Sequence, residues 1–378
     1  MRGSSLGIIA ALSVALCACS AIPASPKPKL GQTGPSAEEQ ERTINALRPP
    51  KRERPLIAAL GDNAGTETTD FLVPFSVLTE SNVADVIAVA PRSEPIQLMP
   101  ALRVQPQQTT AAFDALYPKG ADYVIVPAMH HTDTKAVLDW IRAQFAGGAI
   151  IVSVCSGAKV VAEAGLLEGR AGTTHWFDVD SLERDNPTLQ RVNDRRYVVD
   201  RGVVTTTGVT ASVPISLALV EAIAGRPAAQ SLARRLGASE DWSARHTSSD
   251  FQLNWRIAGR AAINWLAFWN HERIGIQVEP GFDSVALAFS ADAYSRTFKS
   301  KVETVARFAG PILSKRGLLL LPDSTEETAQ VDRFISIGAD ILPAAALDIA
   351  LKGIQTDYGD RVASFVALQL EYSRSKRR

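Results

Sequence analysis

A strand-like run, Ala149 to Val154, meets a helix-like run, Val160 to Leu167, at Ser153-Val154-Cys155-Ser156-Gly157-Ala158-Lys159. A nucleophile on such a sharp strand-to-helix turn sits on strained backbone beside a closely packed helix, so it needs small neighbours. Ser153 and Gly157, two places either side of Cys155, supply them. A thiol at the start of a helix faces the positive end of the helix dipole and free amides, which predicts a pKa below the ~8.5 of a free thiol. The positions just after the nucleophile, Ser156 and Gly157, are those from which an oxyanion site is built, and the Ser156 hydroxyl can touch a substrate. The plain alternative is a buried structural cysteine.

Such a turn needs a sheet to carry it. Leu56–Leu60, Val83–Val89, Tyr123–Pro127 and Ala149–Val154 are continuous apolar runs separated by helical stretches, the pattern of a parallel sheet covered on both faces. Thr134 to Phe145 carries Ala136, Val137, Trp140 and Ile141 at helical spacing and ends in Gly147-Gly148, residues that tolerate a left-handed exit.

The stretch from Val152 to Arg170, followed by Thr173-Thr174-His175-Trp176, resembles the ThiJ/PfpI superfamily, a class I glutamine amidotransferase-like group. It is most similar to the branch that includes isonitrile hydratase and the N-terminal domains of AraC-type regulators. Gly202 to Gly225 resembles the last strand and helix of the same domain, so the resemblance spans about Pro55 to Gly225. It implies a flavodoxin-like parallel sheet sandwiched by helices, with an acid after the first strand bonded to the cysteine sulfur. In Gly65-Thr66-Glu67-Thr68-Thr69-Asp70-Phe71-Leu72-Val73-Pro74 that place falls to Asp70, with Glu67 in reserve. A carboxyl in that role needs a raised pKa in a partly buried site, whereas the bland role for Asp70 is a helix N-cap. His175 matches the family histidine and is a base, an orienting group or a packed side chain. Where relatives have a Gly-Gly turn, this chain has His130-His131, a departure that offers both rings as pocket side chains. With Asp133 they suggest a metal, but successive residues point apart and no third ligand follows at helical spacing; no metal and no cofactor are expected. Asp133 or Thr132 is the expected cap of the next helix.

A fainter echo follows a tryptophan-rich helical connector, residues 227–272, in which Ile257 to Trp269 reads as helix. Ile274 to Ser284 resembles a first strand and turn, Gly317 to Asp323 a third strand, and Leu347 to Tyr372 closing helices. No cysteine follows Asp323 and Ala286 falls where the acid would be, so residues 273–378 are expected to be a degenerate α/β half-repeat without chemistry. Such a half could complete an intramolecular pseudo-dimer; a homodimer is the alternative.

The chain opens with Arg2 and an apolar run, Leu6 to Leu16, too short to span a bilayer. Leu16-Cys17-Ala18-Cys19 resembles the bacterial lipobox and makes residues 1–18 a signal peptide and Cys19 the lipidated residue. The expectation is an exported protein, lipid-anchored in the bacterial cell envelope at the periplasmic side of the outer membrane. Residues 19–54 read as a flexible tether, and Lys51 to Arg54 as a solvated face. With 40 basic and 40 acidic residues among 378, and 46% hydrophobic content, neither a nucleic-acid partner nor a disordered chain is suggested. Two classes of function remain. One is a cysteine-dependent hydratase, lyase or amidase-like hydrolase in which Cys155 attacks an electrophilic carbon of a small molecule. The other is a non-catalytic ligand-binding or redox-sensing module.

Overall fold

Strand β1 (Leu56–Leu60) is apolar along its whole length, and every one of its residues is buried, as a central parallel strand requires. It lies in a seven-stranded sheet with β2 (Asp85–Ala90), β3 (Gln108–Thr109), β4 (Tyr123–Val126), β5 (Ile150–Ser153), β6 (Tyr197–Asp200) and β7 (Val203–Thr206). The order is β6-β7-β5-β4-β1-β2-β3, parallel except for the antiparallel edge pair β6–β7. This computed structural model describes residues 34–251, 271–338 and 340–373. The chain leaves β1 toward β2 on one side and returns at β4 on the other, so the carboxyl ends of β1 and β4 flank a topological switch point, where α/β sheets place ligands.

Helices α1 (Ala37–Ala46), α2 (Thr68–Ser81), α3 (Lys135–Ala146), α4 (Gly157–Glu163) and α5 (Ser212–Ala224) accompany the sheet. The expected tether is, from residue 34 onward, docked structure. Ser36 caps α1, Leu47 is fully buried, and the Tyr123 hydroxyl donates to the Leu47 carbonyl at 2.6 Å. Lys51 donates to the Ala121 carbonyl, and Arg52 and Arg54 pair with Asp122 and Asp85. The polar composition concealed one apolar anchor and a set of charges that find partners at the base of the sheet. Helix α3 begins after Thr134, whose hydroxyl donates to Asp62 at 2.7 Å, so neither Thr132 nor Asp133 caps it.

A second, four-stranded sheet is formed by β8 (Glu272–Val278), β9 (Ser300–Ala306), β10 (Ser324–Thr325) and β11 (Arg333–Ile335), in the order β10-β9-β8-β11 and all parallel. Helix α6 (Ser284–Ser295) follows β8, and α7 (Ala346–Tyr358) and α8 (Asp360–Gln369) close the fold. The strand that pairs with β8 as β4 pairs with β1 is Arg333–Ile335, not the leucine-rich run at 317–323. Leu319–Leu320 belongs to a hairpin with Ile312–Leu313 and pairs antiparallel with Arg103–Gln105. Together with Ile96–Met99 and Thr66–Glu67 these strands build a five-stranded sheet that draws on both halves of the chain. The run reads as a core strand because Leu318 and Leu320 are buried, but what buries them is the other half's hairpin.

Helix α2 is buried continuously from Thr68 to Leu78, so one apolar stripe against the sheet does not account for it. Its other side is covered by α6, itself buried from Ser284 to Tyr294. The contact includes buried polar pairs: Ser76 and Ser284 hydroxyls lie 2.7 Å apart, and the Thr69 hydroxyl donates to Asp292 at 3.0 Å. One apolar cluster runs from Leu47 through Phe71 to Ala286 and Ile354, and residues Thr33–Arg378 form a single compact unit. Among the described residues no helix is long and apolar enough to cross a membrane. Cys17, Cys19, Trp255, Trp265, Trp269 and the expected helix at 257–269 lie outside the described residues.

Candidate functional site at Cys155

The backbone of Cys155 has φ +57°, a left-handed conformation that costs about 1 kcal/mol for a residue with a Cβ. The surrounding bonds impose it. Val154 donates to the Val126 carbonyl, the Cys155 amide donates to the Thr206 hydroxyl at 3.0 Å, and the Thr174 hydroxyl donates to the Cys155 carbonyl. Gly157 is the tight neighbour that the turn needs: a Cβ there would stand 2.2 Å from the Val126 carbonyl oxygen and 2.9 Å from Pro127. The Gly157 amide is spent on the Val154 carbonyl, whereas the Ser156 amide is turned to the sulfur. The Ser156 hydroxyl lies 3.8 Å from the sulfur and donates to Asp178, which also pairs with Lys159 at 3.4 Å.

The expected acidification of the thiol is overturned. Cys155 is 5% exposed, and burial, reinforced by the negative charges of Asp70, Glu67 and Glu371, pushes its pKa well above that of a free thiol. The single amide bond from Ser156 at the head of a seven-residue helix does not offset this. In the resting site the sulfur carries its proton.

Glu67, not Asp70, caps α2: its Oε2 accepts the Asp70 amide at 2.6 Å, the first half of a capping box. Asp70 stands one turn in, fully buried. Its Oδ2 accepts the Ala128 amide at 3.3 Å, and its Oδ1 has no partner. Pro74 lacks the amide that would otherwise bond the Asp70 carbonyl. Burial pushes the Asp70 carboxyl up to about 7, and burial together with Asp70 and Asp292 pushes Glu67 up as well.

A cation from the far half of the chain sits on this acid pair. Arg296, at the end of α6, donates through Nη2 to Glu67 Oε1 and through Nε to Asp292 Oδ1, each at 2.6 Å. Burial works against its charge but Asp292 and Glu67 outweigh it, and its pKa rises. Three carboxyls around one guanidinium in a buried site cannot all be ionised. Glu67 accepts two bonds at 2.6 Å and Asp292 accepts from Arg296 and Thr69, whereas Asp70 Oδ1 is unpartnered. Both Glu67 and Asp70 are pushed up, so this acid pair holds a proton between its two carboxyls.

His175 is tied down at both ring nitrogens. Nδ1 accepts the Phe177 amide at 3.3 Å, and Nε2 donates to the Gln369 carbonyl at 2.9 Å. Burial depresses its pKa, and the two bonds of the ring fix its loop to α8. Glu371 finishes that closure by accepting the Trp176 amide at 2.6 Å and the Gly208 amide at 2.8 Å. His130 and His131 are exposed, and their rings meet edge to face at 4.5 Å. Among the described residues there is no group of three or more metal-binding side chains.

The DJ-1/PfpI family profile matches residues 58–222. Isonitrile hydratase of Pseudomonas putida is 32% identical over 166 residues, 43% of this chain and 69% of that relative. The chain belongs to the DJ-1/PfpI family. An HTH-type transcriptional regulator, CdhR of Pseudomonas aeruginosa, is 34% identical over 87 residues, which is 23% of this chain and 26% of the regulator. Among solved structures, Drosophila melanogaster DJ-1beta aligns with a TM-score of 0.44 at 20% identity, covering 49% of this chain and 99% of its own. A ThiJ/PfpI family protein from Pseudomonas syringae aligns at 0.42 and 26%, covering 48% and 74%. The family match ends before β8, so Arg296, Asp292, Gln369 and Glu371 are contributions of the half beyond it.

Those four residues, with Asp178, are the ones that sequence reasoning missed. When the cap Glu67 is laid over the cap Asp283 of α6, Asp70 falls on Ala286 and Glu80 on Arg296. That alignment identifies the missing acid, but nothing in it signals the arginine. Among the described residues of the second half no elbow strand follows β11, and a cavity of about 670 Å³ is lined by Asp283, Ala286, Arg316 and Ile337 beside that strand's end.

Proposed function

We propose that this DJ-1/PfpI protein is an enzyme that adds water to an electrophilic carbon of a small molecule, with Cys155 as nucleophile and Asp70 as acid and base. The observation that carries the reading is an elbow cysteine at φ +57° within electrostatic reach of a buried carboxyl on α2 that is pushed up to about 7. A carboxyl poised near neutrality can both take and return a proton at working pH. Relatedness to an isonitrile hydratase suggests the substrate class, an isonitrile, with a reactive carbonyl as the neighbouring choice.

For an isonitrile the sulfur forms a bond to the terminal carbon while the thiol proton, relayed by Asp70, ends on that same carbon, giving a thioimidate. Water then adds to the thioimidate carbon. The carbon–sulfur bond breaks, the sulfur recovers a proton through Asp70, and an N-substituted formamide departs. Ser156 supplies the amide beside the sulfur, and Asp178 and Lys159 hold its hydroxyl in place. Arg296 bonds Glu67 and offsets part of the negative charge beside Asp70, the acid that relays the proton. The redox-sensing alternative needs a thiolate, which burial and three carboxylates disfavour.

The test combines turnover with labelling. Formamide should appear from an aliphatic isonitrile and vanish in Cys155→Ser and Asp70→Asn. Iodoacetamide should modify Cys155 in the folded protein with a midpoint above pH 8.5, the approximate free-thiol value. Labelling only after denaturation, together with no turnover, would leave Cys155 as a packing residue and the domain as a binding module.

A further inference from the structure

Residues Arg196, Asp241, Ser243, Arg245, His246, Thr247 and Ser373 line a cavity of about 180 Å³, in which His246 stands 3.6 Å from Glu371. We propose that it is a binding site for a tetrahedral oxyanion, a phosphate or sulfate group, held between Arg196 and Arg245.

The two arginines are brought together by a short antiparallel contact. Arg195 bridges Arg245, and the Arg196 amide donates to the Ala244 carbonyl at 2.6 Å. The partly buried Arg196 guanidinium has five donors, yet among the described residues it makes no side-chain hydrogen bond and has no carboxylate within ion-pair distance. The neighbouring Arg195 shows the contrast, since it is fully engaged by Glu39 at 2.6 and 3.0 Å.

The acids that act on Arg196 from a distance are already committed. Glu371 accepts the Trp176 and Gly208 amides, and Asp241 accepts the Ser243 amide. Arg245 is likewise without an ion pair among the described residues. The wall therefore offers two guanidinium groups, one imidazole and three hydroxyls against a single carboxylate. A planar fork of donors facing a small polar cavity matches the oxygens of a phosphoryl or sulfuryl group. The volume admits such a group with a small substituent and excludes a nucleotide.

The experiment is calorimetric titration of the full protein with inorganic phosphate, sulfate and glycerol 3-phosphate, with chloride at matched ionic strength as control. Saturable binding of at least one oxyanion, weakened tenfold or more in Arg196→Gln, supports the site. Arg245→Gln, a surface change, serves as the second variant and should weaken binding at least threefold while the melting curve stays that of the wild type. Preference for glycerol 3-phosphate would assign the site to a phosphorylated metabolite, and equal binding of inorganic phosphate to the free ion. An affinity unaltered in both variants, or a response that chloride reproduces, overturns the proposal.

Discussion

Replacing Asp70 by asparagine should stabilise the fold, and by more as the pH rises. The carboxyl is fully buried with its pKa moved from the usual 3.8 to about 7, so the folded state holds this proton more tightly than the unfolded chain does. Below about pH 4 both states are protonated and nothing is lost. Between pH 4 and 7 unfolding releases the proton and stability falls with each pH unit. Above pH 7 both states are ionised and the fold carries the whole penalty, about 3 units or about 4 kcal/mol at 1.36 kcal/mol per unit. Asparagine keeps an oxygen for the Ala128 amide and carries no charge. Urea unfolding at pH 5 and pH 8.5 should show its advantage growing by about 3 kcal/mol, the part of the titration that lies between them. Glu67→Gln leaves Arg296 paired with Asp292, and because burial also pushes the Glu67 carboxyl up, the stability of this variant relative to the wild type should likewise rise from pH 5 to pH 8.5. An Asp70→Asn advantage that is the same at pH 5 and 8.5 would mean that Asp70 does not hold the proton, and the acid–base assignment would fail.

Gly157→Ala should cost ~3 kcal/mol or more, because its methyl would meet backbone oxygen and not a movable side chain; thermal unfolding reads this directly. Arg296→Met should cost about 3–5 kcal/mol by leaving Glu67 and Asp292 buried without their cation. Arg296→Lys should recover part of that loss, and any turnover it retains should have its pH optimum displaced. Cys19→Ser should release the protein from bacterial membranes, with mass spectrometry of the mature N-terminus showing no lipid-modified cysteine.

The main sheet was legible because strands buried on both faces must be apolar throughout, as at Leu56–Leu60 and Tyr123–Val126. The elbow was legible because steric crowding leaves Gly157 no substitute. Leu319–Leu320 misled because burial by a neighbouring hairpin and burial within a sheet demand the same residues. The true strand, Arg333–Ile335, is partly exposed and begins with a charge. The environment of Cys155 was beyond reach for another reason. The thiol's proton affinity depends on Asp70, Glu67 and Glu371, and local spacing around residue 155 encodes none of their positions.

Arg296 and Glu371 also follow Cys155 in the order of synthesis. At about 5–20 residues per second, the roughly 215 residues that separate Cys155 from Glu371 take on the order of ten to forty seconds to translate. The elbow can form early in that interval, but the acid pair has no cation until Arg296 is made and the His175 loop has nothing to bind until α8 is made. The nascent chain thus holds its cysteine in an unfinished site, and the charged surroundings of the sulfur are complete only when the later half folds back over the first.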